Sequence, residues 1–438
     1  MSDDSLRVDA SGVAGRSDRR QFLSTMSSLA AGSVALSTLV QGQEVAAQEP
    51  NRTQPTAAAE PLLGGPVLQN PSPTGMTVAW ATDTLATGWV EYGATADLGQ
   101  RAEAAANGLK SLSERFLSVR LTGLKAGEPV FYRTVTQPID FRSAYRIEKG
   151  EPIIGATYRF TTPSESAETA SFQMINDTHE KLEVLRAITT ELAAKPADFT
   201  VWNGDIFDDI RSDEQIVAQV LRPAGAAYAA TAPVLFTSGN HDVRGKHARA
   251  LSQAMIDWPH QGSLGRSFAV RQGPLAIIGL DTGEDKPDAH PTFAGLASFE
   301  PYRKAQGEWL AQALVRPEIQ SAPHLVVFCH IPLWGLPEHN PGDTLDGYAY
   351  YSRNSQQAWH KHLEQAGVQL VLSGHMHQFR YDEPTAEHSY GQMVGGGPSL
   401  QSATIIRGEA TAQELVITAT GLGGEKLGSW KFAPRKRS

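Results

Sequence analysis

The sequence predicts two folded segments of different class: a small all-β unit, then a larger α/β unit. Three observations lead there. The chain has 438 residues, too many for one ordinary hydrophobic core. Between Pro61 and Pro163, short runs alternate large and small side chains with period two. From Ser171 onward, short apolar runs alternate with helix-like stretches, the rhythm of strand–helix units around a sheet.

The first 60 residues fit neither pattern. Arg19-Arg20-Gln21-Phe22-Leu23 precedes an uncharged stretch from Ser24 to Val40, and Val45-Ala46-Ala47 offers small residues for cleavage. A basic, then an apolar, then a small-residue region predicts a signal peptide over residues 1–47. The paired arginines followed by Phe-Leu resemble a twin-arginine signal, although Asp18 and Ser24 depart from its usual flanks. The twin-arginine export machinery is thus an expected partner, and a periplasmic or secreted location is expected. No permanent membrane span is expected, because that needs roughly 20 strongly apolar residues. Residues 48–60 read as a linker.

Within residues 61–163, strands are predicted at Met76–Trp80, Gly88–Gly93, Phe116–Leu121, Val130–Val135 and Tyr158–Thr162. Strands at this spacing suggest a sandwich. The run Leu121-Thr122-Gly123-Leu124-Lys125-Ala126-Gly127, with Phe160-Thr161-Thr162-Pro163 at the end, resembles a fibronectin type III domain. More narrowly, it resembles the N-terminal domain of purple acid phosphatases. That family usually places a corner tyrosine where this chain has Val130. The stretch from about Gln137 to Ala156 reads as a long connection in place of a tight hairpin. Nothing in this segment has catalytic spacing.

In the second segment, residues 170–438, the ends of the apolar runs carry the chemistry. Ser171–Ile175 ends in Asn176-Asp177-Thr178-His179. Phe199–Trp202 ends in Asn203-Gly204-Asp205, with Asp208 three residues on. Val234–Ser238 ends in Gly239-Asn240-His241-Asp242. Leu325–Cys329 ends in His330, and Val368–Ser373 ends in Gly374-His375-Met376-His377. Acid, amide and imidazole groups at the C-terminal ends of five strands are placed where open α/β sheets bind ligands. Such oxygen and nitrogen donors suit hard or borderline metals. Two metals about 3.5–4 Å apart can clamp both oxygens of an in-line displacement, and a carboxylate should bridge them. Asp205 suits that role, in a turn that Gly204 lets pass tightly.

Taken in order, the five motifs resemble the calcineurin-like metallophosphoesterase superfamily: D-x-H, G-D-x-x-D, G-N-H-[DE], a lone H and G-H-x-H. The resemblance implies a four-layer α/β/β/α sandwich and hydrolysis of phosphate esters by a metal-bridging hydroxide. It implies two divalent or trivalent ions, Fe, Mn or Zn. One would be held by Asp177, His179, Asp205 and His377, the other by Asp205, Asn240, His330 and His375. It also implies that His241 is the acid over the leaving oxygen, with Asp242 orienting its other nitrogen and favouring the imidazolium. Arg244 is either a grip on a phosphate oxygen or an ordinary surface arginine. Asn176 stands where the superfamily often has Gly. Asp208 stands where purple acid phosphatases have a tyrosine ligand, and His179 is a histidine they lack, so the site resembles the non-purple branch. His339 and Arg353, in the Pro- and Gly-containing stretch after His330, are candidates for the pocket wall.

Composition narrows the partners. The net charge of −9 argues against nucleic acid as the main partner, which needs a basic surface. A small phosphate ester is the expected substrate, with a phosphomonoester first. A phosphodiesterase acting on cyclic nucleotides or lipid head groups would share every ligand. A non-catalytic envelope binding protein is disfavoured because no expected ligand is missing. The single cysteine, Cys329, excludes an internal disulfide and reads as a buried strand residue.

Overall fold

The computed structural model describes residues 65–223, 227–251, 256–259, 264–335 and 353–436. The expected signal peptide, the linker and His339 lie outside the described residues.

The apolar runs of the second segment form two stacked sheets. One is nine-stranded; its middle strands Ala170–Ile175, Phe199–Asn203 and Val234–Thr237 run parallel. The other is six-stranded, with His324–Cys329 parallel to Leu370–Ser373 at its middle. These strands read as continuous apolar runs because both of their faces are buried. Val326 and Phe328 face the core between the sheets, with Phe172 and Met174 of the other sheet; the Phe172 and Phe328 rings meet edge to face at 5.2 Å. Leu325, Val327 and Cys329, at the alternate positions, face Trp309, Leu310, Trp359 and Leu363 on the helices Phe299–Leu314 and Arg353–Gln365. The helix Leu182–Ala194 covers the outer face of the first sheet through Val184, Leu185, Ile188 and Leu192. The result is the expected four-layer α/β/β/α order. Cys329 is buried, and burial pushes its thiol up to about 12.

The N-terminal segment is all-β. Val67–Ser72, Gly75–Ala81 and Phe116–Thr122 pair with one another and face a sheet built on Ala86–Gly93 and Pro129–Ser143. Trp80, Tyr132, Phe160, Leu68 and Val78 fill the space between. Its first sheet does not stop at the segment boundary. Gln69 pairs parallel with Val234, so these three strands complete the nine-stranded sheet. Residues 59–438 form one compact unit rather than the two expected from the change of period. The tyrosine chemistry expected at the corner is also placed differently. Val130 is buried without a hydroxyl, and Tyr132, two residues on, donates its O–H to Ala230 O across the boundary at 2.7 Å.

The connection from Gln137 to Ala156, expected as a loop, is mostly strand. Pro129–Ser143 runs on through it and pairs with Arg146–Lys149 and Ile153–Ile154. Its alternating Ile139, Phe141 and Ile147 were the missed signal.

Candidate metal centre

The turns that leave the five strands hold their side chains in an uncommon backbone state. Asp177 (φ +49°), His179 (+43°), Asp205 (+52°), His375 (+72°) and His377 (+54°) are all left-handed. Each such non-glycine residue costs roughly 1–2 kcal/mol, so the surrounding bonds must fix it. Asp177 N–H donates to Gly204 O and His179 N–H to Asp205 O, both at 3.0 Å, which locks the first two turns together. Gly204 has φ +86°, and a Cβ there would stand 2.3 Å from His330 Nδ1.

These turns bring all seven sequence-predicted ligands together. Asp177, His179, Asp205 and His377 offer ligand atoms within 4.8 Å of one another, as do Asp205, His330 and His375, so Asp205 is common to both groups. The His179 and His377 Nε2 atoms face each other at 3.0 Å, and His377 Nε2 is 3.2 Å from Asp177 Oδ1. In the second group, His330 Nε2 is 3.2 Å from Asp205 Oδ2, and Asn240 Oδ1 is 2.9 Å from His375 Nδ1.

An outer ring of bonds aims these atoms, as at metal sites generally. Asp208 Oδ1, 3.0 Å from His179 Nδ1, leaves His179 Nε2 to face inward. Asn203 O does the same for His330 at 2.9 Å. Asp177 Oδ2 accepts His375 N–H at 2.8 Å and an Asn176 amide N–H at 2.5 Å; Asn176 also donates to Gly396 O. Asn176 therefore replaces the usual glycine with a support, and the run Gly395-Gly396-Gly397 leaves room for it. In the sequence Asp208 stands out as the last residue of the Gly-Asp-x-x-Asp motif, and Asn203 only as a neighbour of Asp205.

The expectations for Asp242 and Arg244 need correction. Asp242 does not orient the His241 ring. It is buried, and its carboxylate accepts the backbone N–H groups of Ile206, Phe207 and Gly239 at 2.9, 3.2 and 2.9 Å. It thus clamps the Asp205 turn to the Asn240 turn. The His241 ring donates from Nδ1 to Asp208 O at 2.6 Å, and its Nε2 faces Arg244 Nη1 at 3.0 Å. Arg244 has only donors, so this Nε2 carries a lone pair and the imidazole is neutral rather than the expected imidazolium. Burial, together with the positive charges of Arg244 and His179, holds His241 below its usual value, against the pull of Asp205. Arg244 is no free grip either: Nε and Nη2 are taken by Glu284 (2.7 Å) and Asp285 (2.8 Å). Both carboxylates lie far from the motifs in sequence, and no local pattern marked them. Arg353 is an exposed residue at the start of its helix, with no role the structure assigns.

The residues present fit a pair of cations. Asp177 and Asp205 are buried, and an uncompensated buried carboxylate costs several kcal/mol. Asp177 Oδ1 and His330 Nε2 are buried without a hydrogen-bond partner, and both point into the cluster. Burial opposes charge on His330, yet Asp205 and Asp177 hold its imidazole up to about 10. Burial likewise works against the Asp205 carboxylate, which His330 holds down to about 2. The cluster thus recruits a proton as its cation, and a metal is the stronger substitute for it.

The α/β/β/α layers and this Asp/His/Asn cluster define a metallophosphoesterase fold with a dimetal-type site. Residues 172–379 match the family model described as Calcineurin-like phosphoesterase. A serine/threonine-protein phosphatase CPPED1 from Pongo abelii is 27% identical over 147 residues, which is 33% of this chain and 42% of that protein. The chain thus matches less than half the length of that relative. In fold it is similar to the purple acid phosphatase PPD1 of yellow lupin (Lupinus luteus) seeds, with a TM-score of 0.61 and 15% identity over 85% of this chain and 74% of that one. It is also similar to PhoD, with a TM-score of 0.59 and 11% identity over 87% and 90% of the two chains.

Proposed function

We propose that this protein is an exported, two-metal phosphoesterase acting on small phosphomonoesters. The observation that carries the proposal is the double cluster: six donors in two groups that share Asp205, with Asn240 Oδ1 beside His375 Nδ1. Asp177, His179, Asp205 and His377 would hold one ion, and Asp205, Asn240, His330 and His375 the other. When bound, the pair supplies an activated water as nucleophile and neutralises phosphoryl charge. Fe, Mn and Zn all suit these donors.

The remaining chemistry belongs to the chain. Asp208 and Asn203 keep the His179 and His330 rings aimed, and Asp242 keeps the two central turns in register. His241 sits beside the cluster, with its N–H on Asp205 Oδ1 at 2.9 Å. For it to serve a leaving oxygen, Nε2 must exchange Arg244 for substrate and carry a proton. Glu284 and Asp285 hold the arginine in place during that exchange. The exposed edge of His377 leaves the cluster open to a small ester.

The β-segment reads as a fibronectin III-like structural module, supported by its two facing sheets. Export is supported by Arg19-Arg20-Gln21-Phe22-Leu23; among the described residues, no helix is long and apolar enough to cross a membrane. Replacing Arg19-Arg20 by Lys-Lys should leave the protein in the cytoplasm; continued export through the general secretory route would sink the twin-arginine reading.

Turnover of p-nitrophenyl phosphate against its bis ester tests the substrate class. Faster hydrolysis of the monoester, abolished by chelation and restored by metal, is the expected result. A preference for the bis ester would make the protein a phosphodiesterase.

A further inference from the structure

Five of the exposed large apolar side chains among the described residues, Phe141, Tyr145, Ile147, Ile153 and Ile154, fall within residues 141–154. They belong to the β-ribbon that replaces the expected loop. The pairing of Pro129–Ser143 with Ala86–Gly93 ends at Ala86↔Pro138. Beyond that point its partner is Arg146–Lys149, in the register Ile139↔Lys149, Asp140↔Glu148 and Phe141↔Ile147. Two strands therefore stand past the end of their sheet. Leu112, also exposed, lies at this same end, because the neighbouring Ser113 bridges Ala86. Contiguous apolar patches beyond a few hundred Å² mark contact sites.

The ribbon has two unlike faces, because side chains alternate along a strand. Phe141 and Ile147 lie side by side on one. Asp140 and Glu148 lie on the other, where Arg142 bridges them at 2.6 and 2.8 Å and Arg146 meets Glu148 at 3.0 Å. That face is neutralised internally, so it lacks the basic excess that anionic lipid would attract. The outer edge of Arg146–Lys149 pairs with no other strand among the described residues. Such an edge is a template for another chain.

We propose that a second copy of this chain docks there, antiparallel, about a two-fold axis at Ile147. In that register Ile147 meets its own copy, Arg146 meets Glu148 twice, and Tyr145 meets Lys149 twice, where a cation can lie over the ring. A shift by one residue would set Arg146 against Lys149 and Ile147 against Glu148, so charge selects the register. The joined ribbons make a four-stranded sheet with the row Phe141–Ile147–Ile147–Phe141 along one face. A lone two-stranded ribbon is marginal in water, and the added strands stabilise both copies.

Sedimentation equilibrium on the full chain tests this, with Ile147→Lys, Arg146→Glu, Glu148→Arg and the double exchange R146E/E148R as variants. The unaltered chain should dimerise. Each single variant should raise the dimer dissociation constant by at least about tenfold, a loss of ~1.4 kcal/mol or more. The double exchange should recover most of the affinity, which a merely damaged ribbon would not do. Unchanged circular dichroism and metal content would show that the variants fold. The proposal is overturned by a monomeric unaltered chain, by a dimer indifferent to Ile147→Lys, or by a double exchange no better than the singles. Binding to phosphatidylcholine vesicles in place of self-association would overturn it too.

Discussion

His241 and Asp205 touch, yet they are predicted to fail differently when replaced. The His241 backbone N–H donates to Asp205 Oδ1, and its ring, packed edge to face on His179 at 4.8 Å, has its nitrogens on Asp208 O and Arg244. His241→Ala should therefore keep its metals. The rate should fall most for alkyl phosphates, whose leaving oxygen needs a proton, by about 10²–10⁴-fold. Nitrophenyl esters should suffer less. Equal losses for both ester classes would make His241 a phosphate binder instead. Asp208 makes a second case at this scale. Its carboxylate sets the His179 ring, and partners of this kind are worth about 10–100-fold in metal affinity. Asp208→Ala should weaken metal binding by that much in a competition titration with a chelator, while an unchanged affinity would remove Asp208 from the site.

The ends of the strands carry the site, and they were also what the sequence showed best. Apolar runs ending in Asp-x-His, Gly-Asp, Gly-Asn-His or Gly-His-x-His are local signals, because a tight turn and its donor sit within a few residues. What depends on distant pairing was not readable. The Arg244 clamp joins residues 40 and 41 positions apart, and Asn176 meets Gly396 across 220 positions. Asp242 shows the same limit: its adjacency to His241 in sequence suggests a ring contact, whereas its carboxylate reaches back to the Asp205 turn. The turns themselves should be intolerant. Gly204→Ala adds a side chain at φ +86° and drives it into His330. Strain of about 1–3 kcal/mol is expected. Thermal unfolding should show it, together with reduced metal content. An alanine variant of native stability and metal content would mean that the turn relaxes freely.

Across the whole of residues 59–438, the β-segment and the α/β segment should unfold together. Val67, Ala79 and Ala81 of the first segment belong to one buried cluster with Val184, Val217, Val220 and other residues of the α/β segment. Asn70 and Thr77 both donate to Asp257 Oδ2, at 2.9 and 2.6 Å, and Tyr132 donates to Ala230 O. A change of hydrophobic period marks where strand–helix units begin, but it does not mark where a sheet ends. That is why the sequence suggested a boundary near Ser164 that the sheet crosses. A chain beginning there would retain every proposed ligand and lose part of its core. Tyr132→Phe leaves a buried carbonyl without its donor, at a cost of about 1–3 kcal/mol. Calorimetry should show one transition, shifted down as a whole by this substitution. Two resolved transitions, with only one of them moved, would mean that the segments are independent.

Whether two ions share Asp205 is read from the metal content per chain. Purified protein loaded with Zn or Mn and then dialysed should retain close to two ions per chain by elemental analysis. Asp205→Asn should retain less than one, because the shared charge serves both groups, and phosphatase activity should vanish with the ions. An Asp205→Asn protein that still held two ions would mean that Asp205 is not shared, and an unaltered protein that stayed active after its ions were removed would mean that the ions do not carry the reaction.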